Sequence, residues 1–165
     1  MNQHILEKVD IVSGIVPINI GSARTGDTIS MKNWGRCAIV FFKAAGSASE
    51  DPTITVEQAI NITPSSAKAL TFTRVDTKQG TLTSVGTWTT TTQSAAGTYS
   101  NATASENEAI WVVDIKAEDL DVDNGFDCLR VTIADAGSAN QIAAVLYILH
   151  EPRYALTGGV SAIAN

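Results

Sequence analysis

The sequence predicts an all-β protein: a single-domain, jelly-roll-like β-sandwich of about eight or nine short antiparallel strands. Three observations carry that expectation. Several stretches, among them residues 53–59, 70–75 and 128–134, alternate apolar and polar residues with the period of two that a half-buried strand requires. Clusters of Gly, Ser, Ala, Asn, Asp and Pro, such as residues 44–52 and 136–140, separate them as turns and loops do. No stretch shows a convincing apolar period of an amphipathic helix, so short strands with frequent turns indicate a sandwich or a barrel. No repeat of fixed period is present. The Cys…Trp…Cys order of an immunoglobulin domain is not met, which favours the jelly roll.

In chain order, residues 1–20 hold short apolar pieces broken by Gly14 and Pro17. A segment so interrupted reads as an N-terminal arm or an edge strand. Residues 21–154 read as the sandwich. Within it, 21–27 is a loop, 28–31 a short strand, and 36–43 a central strand because Ile39, Val40, Phe41 and Phe42 stand together. Residues 53–59 place Ile54 and Val56 inside and Thr53, Thr55 and Glu57 outside. Residues 70–75 alternate again. The Thr-rich stretch 81–92 suits a strand with one polar face, since Thr is β-branched. Residues 94–107 form a long loop or a short hairpin about Gly97. Residues 109–115 alternate through Trp111, Val113 and Ile115, and 116–120 can make one helical turn.

The closing pair, 128–134 and 142–149, is expected at the centre of a sheet. In its first strand Leu129, Val131 and Ile133 share one face. The second does not alternate. A continuous apolar run fits a strand covered on both faces, although periodicity alone also allows a buried helix segment. Val131 and Ile148 are both expected inside. Pro152, without an N–H, ends the ladder. Residues 155–165, with Gly158-Gly159, read as a C-terminal tail or a short strand.

Composition bounds the function. The chain has 165 residues, 44% hydrophobic and 17% charged, enough for one domain with a real core. Its net charge of −6 argues against a nucleic-acid partner, which needs a basic patch. No apolar run is long enough to span a bilayer, and the first residues lack the pattern of a signal peptide. No membrane association is expected, and synthesis in the cytoplasm is.

No catalytic set emerges. G-x-S-x-G, a P-loop and H-E-x-x-H are all missing from the sequence, so no enzymatic activity is expected. Carboxylate pairs such as Asp114 with Asp127 exist, but nothing selects one for glycoside chemistry. His150 beside Glu151 reads as structural. Residues 118–127 resemble a calcium loop of alternating carboxylates before a glycine. The register fails: from Asp119 the sixth position is Asn124 and the twelfth is Arg130. The expected state is a metal-free solvated turn, with Asn124-Gly125 supplying positive φ. Cys37 and Cys128 lack CxxC spacing and read as two buried thiols, while Trp34, Trp88 and Trp111 read as core or interface residues. No cofactor is expected.

The run from Ala117 to Arg130, together with Tyr147-Ile148-Leu149, Pro152-Arg153-Tyr154, Ile29-Ser30-Met31-Lys32-Asn33-Trp34 and Asp51-Pro52-Thr53-Ile54-Thr55, resembles small virion proteins of tailed bacteriophages of the capsid decoration (cement) type. The resemblance covers most of residues 28–154. It implies a β-sandwich or jelly roll, no cofactor, the major capsid protein lattice as partner, and a place on the outer surface of the virion head. A homo-oligomer, a trimer in the first instance, suits such a lattice because repetition raises effective concentration. Other virion parts (tail, fibre or connector) and a carbohydrate-binding β-sandwich are the alternatives. The N-terminal segment could add a strand to a neighbouring subunit through its main chain. The residues expected to bind the partner are Ile5, Leu6, Val9, Ile11, Val12, Ile15 and Val16.

Overall fold

The structure, a computed structural model, describes residues 5–48, 50–63, 66–82, 86–101, 107–137 and 140–154. Two antiparallel sheets face each other across one hydrophobic core. The first holds, in order, β1 (Asp10–Asn19), β12 (Ile142–Pro152), β4 (Trp34–Lys43), β10 (Glu108–Lys116), β7 (Phe72–Gly80) and β8 (Thr89–Ala96). The second centres on β11 (Cys128–Ile133) and β5 (Thr53–Ala59). Four short strands extend it: β2 (Arg24–Thr25) and β3 (Ile29–Ser30) pair with β11, and β6 (Ala67–Ala69) and β9 (Thr98–Ser100) pair with β5.

The order of pairing makes this a jelly roll. Early strands lie beside late ones: β1 against β12, β2 and β3 against β11, β4 between β12 and β10. A long antiparallel ribbon is thus rolled across two sheets, and the β7–β8 hairpin widens the first. Among the described residues eight strands of six residues or more match the expected number; the four shorter ones are too brief to show a period of two. The helical turn expected at 116–120 is a 3-10 turn at Ala117–Asp119. The 81–92 strand begins later than expected, at Thr89, and residues 83–85 and 155–165 lie outside the described residues.

The core takes one face of each sheet. Phe41 stacks on Trp111 with centroids 4.6 Å apart, and Tyr99 meets Trp111 edge-on at 4.9 Å. Trp34, Ile39, Val145 and Leu149 join them from the first sheet; Ile54, Val56, Leu129 and Val131 face them from the second. Both cysteines are free and buried, Cys37 on β4 and Cys128 on β11. Trp34 and Trp111 are core residues, whereas Trp88, just ahead of β8, is exposed and lies outside the core.

One buried side chain ties the sheets together. Tyr147 on β12 crosses the core, donates its hydroxyl to the Asp27 carbonyl at 3.1 Å, and accepts from the Val131 N–H at 2.9 Å. Its ring lies on Gly14: a Cβ there would come within 2.6 Å of the ring carbons. The Gly14 carbonyl in turn accepts from the Asp27 N–H at 2.9 Å. Gly14 therefore seats the tyrosine rather than merely interrupting the strand. The pairing of β1 with β12 slips on either side of Ile15, and Gly14 and Pro17 lie in those irregular stretches.

A small polar cluster sits beside the end of β4. Lys43 is buried, and its ammonium donates to the Asn107 carbonyl at 2.6 Å. Burial lowers its pKa, against the attraction of Asp51. Gln141, also buried, donates from its amide to the Glu50 carbonyl at 2.7 Å.

Candidate functional site

The outer face of the first sheet is the feature that sets this molecule apart. Strand pairing places its residues in rows. Ile11 stands beside Ile148, and Ile148 beside Ala38. Leu146 stands beside Val40, and Val40 beside Val112. Ala144 stands beside Phe42, and Phe42 beside Ile110. Ile142 continues the band past Ala144. Phe42 is 49% exposed, Ile11 46%, Leu146 42% and Ile142 41%. Near one end Pro17, Phe42, Ala44, Leu82, Ile142 and Ala144 line an open apolar hollow of about 320 Å³.

Charge begins only at the border of this band. Asp114 follows Ala38, and Arg36 with Lys116 forms the next pair. Lys78 follows Ile110 and Asp76 follows Val112. Arg36, Asp114 and Asp76 among these border charges already have charged partners. Arg36 binds Asp114 through two guanidinium nitrogens, and that carboxylate raises the arginine's pKa. His150 Nε2 lies 3.4 Å from Asp114. Thr90 and Arg74 hydrogen-bond Asp76 and hold its carboxyl below the usual range.

The expectation that β12 is covered on both faces is thus corrected. Its inner residues Ala143, Val145, Tyr147 and Leu149 are buried, whereas Ile142 and Leu146 are exposed and Ala144 and Ile148 half-buried. Ile148 is therefore not a core residue. The run reads as doubly covered because both faces are apolar, yet the described chain supplies a cover for one.

The residues expected to bind a partner divide by which way β1 turns them. Ile5 and Leu6 sit in an exposed 3-10 turn, Ile5–Glu7, ahead of β1. Ile11 and Val16 are exposed on β1, and Val9 is half-buried. Val12 and Ile15 belong to the core and cannot meet a partner without unfolding the strand. The segment is thus the edge strand of the first sheet, with one side built into the domain. Sequence reading missed Phe42, Leu146 and Ile142 as surface residues. The signal was present in the unbroken apolar run of β12, which alternation would have broken had the outer face been solvated.

The other candidate chemistry resolves into local structure. In the acidic turn the Asp121 carboxylate is bound by Lys68 and accepts from Asn124 at 2.8 Å, and both contacts lower its pKa. Gly125 takes φ +82° after the 3-10 turn Val122–Asn124, as a left-handed position requires. The described residues contain no group of three or more His, Cys, Asp or Glu side chains arranged to hold a metal. Asp127 lies 3.5 Å from Lys32 and accepts from the Cys128 thiol, so it and Asp114 each have partners of their own. Among the described residues no helix is long and apolar enough to cross a membrane.

No family model matches the chain, and no curated protein matches it. Among solved structures it is similar to the crystal structure of SPBc2 prophage-derived protein YomS, with a TM-score of 0.50 and 12% identity over 87% of this chain and 93% of that one. At that identity the likeness is one of fold: a single-domain antiparallel β-sandwich is shared by the two chains.

Proposed function

We propose that this protein is a structural component of a bacteriophage virion and acts by assembling with other protein subunits, without catalysis. The observation that carries the reading is the apolar outer face of the first sheet, which none of the described residues covers and which is continuous at Ile11 with the exposed N-terminal margin. Exposed apolar area of this kind, bordered by polar residues, is what protein-binding surfaces present. The fold shared with a protein named as prophage-derived supports a phage setting. Within it, the role we favour is capsid decoration: the protein binds the outer surface of the head and stabilises the shell, with Ile5 and Leu6 making part of that contact.

The test mixes the purified protein with undecorated heads. Ile5→Asp/Leu6→Asp should fold and melt like the wild type, because both residues are exposed. It should bind heads at least about tenfold more weakly, since a charge would be set into an apolar contact. Undiminished binding removes the N-terminal contact. If neither form binds heads and both co-purify with tails, the decoration role gives way to a tail component.

A further inference from the structure

We infer that the outer face of the first sheet is covered by a second copy of this chain. The inference rests on reading that face as protein-binding, and goes further by naming its occupant.

Three features of the face fit a copy of itself. The first is size. Six strands about 4.8 Å apart, each about nine residues long at 3.3 Å per residue, present roughly 850 Å². A stable interface takes about 800 Å² from each partner. The second is anatomy. An uncharged apolar centre on β1, β12, β4 and β10 is ringed by polar residues, and homodimer interfaces are the more apolar class.

The third feature is charge. The chain as a whole carries −6, which opposes self-association. This face does not share that excess. Its described border residues are Arg36, Arg74, Lys78 and Lys116 against Asp76, Glu108 and Asp114, so it is close to neutral. Arg36 with Asp114 and Arg74 with Asp76 are paired within one chain. A copy approaching face to face therefore meets apolar surface and a balanced border. The isologous form of the contact is a two-fold dimer with the two sheets about 10 Å apart.

Sedimentation of the full chain at micromolar concentration tests this. The expected mass is twice the 17.4 kDa of one chain. Phe42→Asp/Leu146→Asp should give folded monomer, with self-affinity lost on the order of a hundredfold or more. The milder Phe42→Ser/Leu146→Ser pair serves if the charged variant does not fold, and should also weaken the dimer. Thr55→Asp on the opposite sheet should leave it intact. A trimer dissolved by the same variants also places a copy on the face. A wild-type monomer, or an oligomer that survives both double variants, overturns the inference. Head binding separates the two claims. A monomer that binds heads removes the second copy and keeps the virion role, whereas a dimer that binds no virion part keeps the second copy and removes that role.

Discussion

The two sheets differ most on the faces they turn away from each other. On the second, β5 presents Thr53, Thr55 and Glu57 and β11 presents Arg130 and Thr132. Glu57 and Arg130 form a half-buried ion pair at 2.6 Å. On the first, the same positions of β12 and β4 are Ala144, Leu146, Ile148, Ala38, Val40 and Phe42. The inner residues of β12 and β4 are as fully buried as those of β5 and β11. The difference shows that alternation in sequence reports a polar outer face, whereas a strand without alternation reports apolar residues on both faces.

The largest effect expected from this contrast separates two residues that look alike in sequence. Val131→Asp sets an unpaired carboxylate into the core and should abolish folding, since the cost of several kcal/mol rivals the stability of the domain. Ile148→Asp, on the outer face, should still give protein that unfolds cooperatively in denaturant. If both variants are equally unfolded, the outer face is as buried as the inner one and the contrast fails.

Next in size is the tie between the sheets. Tyr147→Phe leaves the buried Val131 N–H and the Asp27 carbonyl without that hydroxyl and should cost about 1–3 kcal/mol. Gly14→Ala forces a methyl group against the Tyr147 ring and should cost a similar 1–3 kcal/mol, by overpacking. Denaturant titrations measure both. Gly14→Ala should be much less harmful in a Tyr147→Ala background, where the ring is gone, and equal costs in the two backgrounds would show that the ring is not what excludes the methyl.

Alkaline pH probes the same buried layer. Burial raises the pKa of Cys37 and Tyr147, and raises that of Cys128 to about 12. In the unfolded chain these groups ionise near pH 9 to 10, so above that pH the unfolded state holds fewer protons than the folded one. Stability should therefore be complete below about pH 8.5 and fall as pH rises, by up to about 1.4 kcal/mol per pH unit for each group. Lys43 has the opposite sign, since its lowered pKa adds stability as pH rises towards the unfolded value of 10.5. The net slope of unfolding free energy between pH 8.5 and 11 should be downward, and Cys37→Ala should make it shallower. A flat profile would mean that these thiols and the phenol are hydrated.

The smallest effect lies on the polar outer face. Glu57→Gln removes one charge from a pair that is still reached by solvent and should cost no more than about 1 kcal/mol. It should leave oligomeric state and head binding unchanged.

Much of the strand layout was legible because the inner faces of β5 and β11 alternate with polar outer residues. The candidate face was legible only in part. The run 142–149 showed that both faces of the strand are apolar but not which of them turns outward. The seven residues proposed at the N-terminus divided by side: Val12 and Ile15 turn inward, while Ile11 and Val16 turn outward. The broken look of that segment had a different cause from the one it suggested, because Gly14 makes room for a tyrosine 133 residues later in the chain.

By itself the sequence determined the class of the fold and the positions of β4, β5, β10, β11 and β12, because strand period and apolar density are local properties that survive without knowledge of partners. It also determined that β12 is apolar on both sides. Only the tertiary structure decided that β1 is built into the first sheet, that β2 and β6 exist, and that the second apolar side of β12 faces outward. Those outcomes depend on which segments distant in the chain lie side by side. Pairing across a hundred or more residues, as between β1 and β12, is set by the fit of whole faces and leaves no periodic mark on either strand alone.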